Sequence, residues 1–154
     1  MEPVAERLSF YGRPSPAAQL EWQWVHAQLE SAGTYWVIPR GNSRPHPRPV
    51  WGVWDGTSIY LTVGSPAMRR ALSREPEVTV HLDSGTDVVI VEGRFAGQTL
   101  DPAVIQRYNT KYAWSYAVDE FGALSTVTPS RVIAWRAGGR AGRDGFQKSG
   151  RWRF

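Results

Sequence analysis

Ser65-Pro66, followed by Arg69, Arg70 and Arg74, is the grouping in this chain best suited to chemistry. A serine just before a helix, with proline as the first helical residue, caps a helix start whose first backbone N–H groups lack internal partners. The helix dipole adds positive character there, and guanidinium groups beside it grip phosphate or carboxylate in a planar, two-pronged way. An anionic group is the expected ligand of this corner. Other chemistries lack their residues. There is no cysteine, which excludes disulfides, thiolate nucleophiles and cysteine-bound metals. His26, His46 and His81 are scattered without the HxH or HxxxH spacing that would bring imidazoles to one metal. No GxSxG elbow supports a serine nucleophile, and neither GxGxxG nor GxxxxGK[ST] is present to cradle a nucleotide.

The length of 154 residues suits one domain with a real core, expected here as residues 1–154 with an N-terminal arm at 1–14 and a basic tail at 137–154. No run of about eighteen apolar residues and no charged leader before an apolar segment is present, so neither a membrane span nor a secretory signal is expected, and the cytoplasm is the default location. The net charge of +4 comes almost wholly from arginine, since Lys111 and Lys148 are the only lysines among eighteen basic residues. A solvated surface accounts for most of these arginines. Eight Trp and six Tyr are harder to place on a surface, because large rings with a polar tip favour cores, interfaces and the walls of flat-ligand pockets.

The elements that must position these residues follow from periodicity. Ser15-Pro16 predicts a helix start, with Ala18, Trp22, Val25, Leu29 and Ala32 on one face and Gly33 closing it. His26 lies beside that face and is read as packed or exposed. Thr34 to Ile38 is a first strand ending at Pro39. Val50, Gly52 and Trp54 alternate with Trp51 and Val53, predicting one strand covered on both faces, as in a barrel wall. Gly52 removes a side chain in mid-strand, which admits close approach by a ligand or by a neighbouring indole. Asp55-Gly56 predicts a hairpin returning through Ser58 to Val63, and the helix from Pro66 to about Arg74 stops at Pro76. Val78 to Leu82 and Val88 to Phe95 are paired strands across Asp83-Ser84-Gly85; Glu92 on the second is either a structural partner for an arginine or a site carboxylate, and the structural reading is favoured. Asp101-Pro102 opens a helix with Val104, Ile105, Tyr108 and Tyr112 on one face, running to about Trp114. Ser115 to Gly122 carries no clear period. Ser125 to Trp135 predicts one or two final strands around Pro129, and the Gly-rich basic tail offers Trp152 and Phe154 for docking.

The sum is a mainly β chain with a phosphate-competent helix start, many indoles, and no evident acid, base or nucleophile. That inventory suits a protein whose cofactor carries the chemistry: hydride transfer by a flavin or deazaflavin asks for a flat apolar slot, an anion clamp and backbone contacts to the ring. It also suits a single-strand nucleic-acid barrel, where aromatics stack bases and Arg tracks the backbone. The arginines cluster at one helix start and at the tail instead of alternating with aromatics along strands, which disfavours nucleic acid.

The succession TYWVIPRGNSRPHPRPVWGVWDGTSIYLTVGSPAMRRALSREPEVTVHL, then VVIVEG, then the terminal RWRF, resembles the pyridoxamine 5′-phosphate oxidase-like proteins, especially their actinobacterial flavin and deazaflavin oxidoreductase branch. The resemblance runs from about Trp22 to Phe154. It implies a split β-barrel with flanking helices, FMN-binding-like, built as a homodimer with pockets at the subunit interface, in which F-420 or FMN exchanges hydride with a small acceptor. The strand matching Arg48 to Val53 is expected along the ring; the strand end at Leu61-Thr62 and the helix start from Ser65 to Arg70 are expected around the phosphate. Carried over residue by residue, the cofactor-binding set is Arg48, Val50, Trp51, Gly52, Leu61, Thr62, Ser65, Arg69 and Arg70, with His46 at the rim and no catalytic side chain or metal ligand. The Arg-rich composition is that of GC-rich actinobacterial genomes, in which F-420 is made, and tips the choice narrowly toward F-420. One departure stands out: where the family has a phosphate-binding lysine, this chain has Met68. A barrel that carries a flavin or tetrapyrrole without turnover is the other expectation.

Overall fold

A bend at Trp51 closes the sheet into a barrel. In the computed structural model, which describes residues 2–41, 43–137 and 146–154, the predicted strand from Val50 to Trp54 is two short strands separated by one residue. In chain order the strands are β1 (Val4–Glu6), β2 (Ser9–Phe10), β3 (Arg13–Pro14), β4 (Ala18–Gln19), β5 (Tyr35–Pro39), β6 (Arg48–Val50), β7 (Gly52–Trp54), β8 (Ile59–Leu61), β9 (Glu77–His81), β10 (Asp87–Thr99), β11 (Leu124–Ala137) and β12 (Phe146–Arg153). The helices are α1 (Trp22–Ser31), α2 (Pro66–Arg74), α3 (Pro102–Tyr112) and α4 (Val118–Phe121).

β6 pairs with β5, and the antiparallel ladder then runs through β9, β10, β11 and β8 to β7. Because β7 continues β6, the ladder returns to its start and leaves no open edge within the ring. The chain is a split β-barrel with flanking helices. Irregularities in the β10–β11 register at Glu92/Gly93 and Phe95/Gln98 bend these long strands, as bulges do in closed sheets. Inside lie Tyr35, Val37, Ile59, Leu61, Met68, Leu72, Val80, Val91 and Val127, all at most 2% exposed. A second cluster of Val53, Val104, Tyr108, Tyr116 and Leu124 joins α3 to the outer side of β7.

The local signals at α2 and α3 act as expected. Ser65 Oγ accepts from Met68 N at 3.3 Å with Pro66 at the first helical position, and Asp101 Oδ1 accepts from Ala103 N at 2.8 Å ahead of Pro102. Glu92 pairs with Arg131, the structural role expected of it. The helix expected from Ser15-Pro16 is a correction: α1 begins at Trp22, and Ala18–Gln19 instead forms β4, parallel to β12. Ser15 is buried, with its hydroxyl bonded to Ala17 N and Ser149 Oγ. The tail decides this, because β12 supplies unpaired backbone groups and an extended neighbour satisfies them. Trp152 is 1% exposed, and its ring and that of Phe154 lie 5.5 and 5.4 Å from Trp22. β11 takes one edge of β12, and β1 joins β4 on the other, where Glu6 meets Arg151 and Arg153. The middle of the basic tail, residues 138–145, lies outside the described residues. Among the described residues no helix is long and apolar enough to cross a membrane.

Candidate functional site

Gly52 sets the bend. A Cβ there would lie 2.6 Å from Tyr60 O, 2.8 Å from Leu61 Cδ2 and 3.3 Å from Tyr35 Cδ2. The close approach that the sequence left open is therefore made by the neighbouring strand, and neither a ligand nor an indole is what Gly52 accommodates. With Gly52 pressed inward, Trp51 points out and is 44% exposed. Its ring stacks on Tyr112 at 4.6 Å and 5°, and meets Trp114 edge-on at 5.7 Å. α3 holds the bend from outside: Tyr112 Oη accepts from Gly52 N at 2.9 Å, and Lys111 Nζ donates to Gly52 O at 3.0 Å and to Tyr35 Oη at 3.1 Å.

Beside this bend lies a cavity of about 480 Å³. Arg48, Val50 and Trp51 form one wall; Thr62, Val63, Gly64 and Ser65 form the strand-to-helix link; Met68, Tyr108, Trp114, Tyr116 and Phe121 complete it. Its surroundings are aromatic and apolar, and most of its polar groups are already engaged. Ser65 Oγ caps α2, Arg48 Nη1 donates to Pro47 O, and Tyr116 Oη donates to Gly122 O at 3.0 Å. Arg69 Nε donates to Val63 O and its Nη2 to Phe121 O, which ties α2 to α4 across the cavity edge.

Of the sequence-derived set, the cavity gathers Arg48, Val50, Trp51, Thr62 and Ser65. Gly52 and Leu61 are buried behind its wall. Arg70 faces the other way, into a groove of about 770 Å³ that it shares with Arg69, Arg74, Gln98 and Ser125. His46 is on the loop before β6 and is not among the cavity's lining residues. Met68, standing where the resemblance expects lysine, is 0% exposed and forms cavity wall.

Sequence reasoning missed the contribution of α3 and α4. Tyr108 and Tyr112 read as the buried face of a helix, and Tyr116 and Phe121 fell in the stretch without period. The available signal was density: five rings, Tyr108, Tyr112, Trp114, Tyr116 and Phe121, within one short stretch. Burial raises the pKa of Tyr35, Tyr108, Tyr112 and Tyr116, so all stay protonated near neutrality. Lys111 moves the other way, to about 8, because burial disfavours its charge while Glu30 partly offsets this. Among the described residues no group of three or more His, Asp or Glu is placed to hold a metal ion.

No family model and no curated protein matches the chain. Solved structures do. An F-420 reductase shares 18% identity over 77% of this chain and 97% of that one, with a TM-score of 0.57. A protein of the pyridoxinephosphate oxidase family from Clostridium acetobutylicum, related to general stress protein 26, shares 14% over 86% and 93%, with a TM-score of 0.60. An FAD-binding protein from Mesorhizobium loti shares 14% over 98% of both chains, with a TM-score of 0.57. At these identities the likeness is one of fold. The chain has the split-barrel fold of the pyridoxamine 5′-phosphate oxidase-like proteins, as the sequence resemblance implied.

Proposed function

We propose that the cavity beside Trp51 binds a flavin or deazaflavin ring, F-420 or FMN, and that the protein moves hydride between the reduced ring and a small acceptor. The observation that carries this reading is the cavity: about 480 Å³, in the range of small-molecule sites, with flat aromatic walls and a strip of backbone from Thr62 to Ser65. A tricyclic ring that brings its own chemistry asks for little more than such a slot. The names of the similar structures, an F-420 reductase and an FAD-binding protein, support the choice of ring. In this reading Val50, Trp51 and Thr62 lie along the ring, with Gly52 and Leu61 backing them. Arg48 stands in the cavity wall, Ser65 is proposed to meet the start of the anionic tail, and Arg70 to meet its far end from the groove on the other side of α2, while Arg69 braces that corner through Val63 O and Phe121 O.

Trp51 and Trp114 are 44% and 47% exposed beside the cavity. Large indoles left so open favour cover by another surface, and the working form is proposed to be a homodimer whose second copy closes the slot. The carrier reading has one observation in its favour. Arg69 is spent on two carbonyls, which leaves Arg48 as the guanidinium in the cavity wall. Equilibrium dialysis against FMN, F-420 and haem, followed by anaerobic reoxidation with a panel of acceptors, tests both. Bound flavin or F-420 that is reoxidised by an acceptor is the expected result. Tight binding without turnover selects the carrier, and a chain that binds none of the rings removes both readings.

A further inference from the structure

We propose that Tyr108 Oη donates a hydrogen bond to the ligand in the cavity, so that the site selects flat rings carrying a carbonyl on the edge that meets α3. This rests on the reading of the cavity as a ring site and goes beyond it by assigning the selecting group.

Tyr108, Tyr112 and Tyr116 are spaced by four residues, and their hydroxyl groups are used differently. Tyr112 Oη accepts from Gly52 N and has Gly52 O and Gly33 O at 2.9 and 3.0 Å to receive its proton. Tyr116 Oη spends its proton on Gly122 O. Tyr108 Oη accepts from Thr62 Oγ1 at 3.1 Å, and among the described residues nothing accepts from it in turn. Both Thr62 and Tyr108 line the cavity, and Tyr108 is only 3% exposed. A hydroxyl buried to that extent ordinarily finds an acceptor for its proton. Since Thr62 occupies the lone-pair side of the oxygen, the proton is free to turn toward the cavity.

No other buried wall residue offers this. Val63 and Met68 carry no strong donor, and Tyr116 has used its own. Burial raises the Tyr108 pKa, with the Thr62 bond pulling the other way, so the phenol remains a donor at neutral pH. A neutral donor in the wall of an apolar slot favours a ring with a matching acceptor and penalises one that leaves the hydroxyl unpaired.

The test compares lumiflavin, a tail-less ring with carbonyl groups, with phenazine, a tricycle of similar shape that lacks them. Neither carries phosphate, so the arginines do not enter. The binding ratio of lumiflavin to phenazine is expected to fall about tenfold in Tyr108→Phe, the size of one neutral hydrogen bond, and to stay unchanged in Tyr60→Phe, whose hydroxyl donates to Asp55 Oδ2 away from the cavity lining. An unchanged ratio in Tyr108→Phe, or an equal fall in Tyr60→Phe, overturns the proposal while leaving the ring site standing. A wild-type chain that binds neither ring overturns the ring site and this inference together. Raman spectra of lumiflavin on the wild-type protein give a second measurement that needs no variant. A carbonyl band shifted down from its apolar-solvent position supports the bond, and an unshifted band sinks it.

Discussion

The two sides of α2 have opposite characters. Toward the cavity the helix presents Met68, fully buried and part of the cavity wall; two residues later, Arg70 opens onto a groove whose lining holds Arg69 and Arg74 but no carboxylate. Elsewhere on the barrel several arginines are matched: Arg40 with Glu75, Arg94 with Glu77, Arg131 with Glu92, Arg136 with Asp87, and Arg151 and Arg153 with Glu6. Exposed pairs of that kind contribute roughly 0–1 kcal/mol each and serve mainly to spread charge over the surface. The contrast teaches that arginine count alone is uninformative here. In the function proposed above, this helix separates the slot for a ring from the groove for an anion, so the two affinities are expected to respond to substitution one at a time.

The largest effect is expected at the bend that backs the cavity. Gly52→Ala drives a Cβ into Tyr60 O and Leu61, and overpacking of this kind costs about 1–3 kcal/mol. Urea unfolding should show the loss, together with weakened ring binding in the protein that remains folded. Wild-type stability in this variant would mean that the bend is not held by close contact. Next comes Trp51→Ala, expected to weaken lumiflavin and FMN alike by about ten- to a hundredfold. Its melting temperature should change little, because the indole is largely outside the core.

Arg70→Ala sharpens the comparison from the groove side. FMN or F-420 binding should weaken about tenfold through loss of one charge-assisted contact, while lumiflavin is unaffected. Equal losses for tailed and tail-less rings would erase the distinction between the two sides of α2. No loss for either would detach the groove from the cofactor.

The smallest effect concerns the clamp behind Trp51. Folded Lys111 titrates at about 8, below its ordinary 10.5. Between those values the unfolded chain binds more protons, so stability rises with pH across that window. Above about 10, Tyr35 and the other phenols whose pKa burial raises keep protons that the unfolded chain releases, and stability falls. Urea midpoints across pH should therefore show a rise above pH 8 that flattens in Lys111→Met. An unaltered rise in that variant would assign it to another group.

Much of this architecture was legible from short-range signals. Ser65-Pro66 and Asp101-Pro102 opened helices where caps predict them, because a cap is satisfied within three residues. The alternation in Val78 to Leu82 and Val88 to Phe95 marked strands for a similar reason. Ser15-Pro16 misled because its extended form is stabilised by β12, well over a hundred residues away. Gly52 looked equally open to a ligand or an indole, since a sequence does not reveal that the Tyr60 carbonyl will be its neighbour.

The sequence by itself determined a cysteine-free, mainly β chain with capped α2 and α3 and a kinship of pattern with the split barrels. These depend on steric and hydrogen-bonding rules that act over a few residues, or on a motif compact enough to survive as a string. Only the tertiary structure decided that Arg69 is spent on backbone carbonyls, that Arg70 faces away from the cavity, and that Tyr108 Oη accepts from Thr62 without an acceptor for its own proton among the described residues. Each of those depends on which atoms meet when the barrel closes and α3 and α4 fold across its outer face, and a hydroxyl or guanidinium takes its role from the partner it finds there.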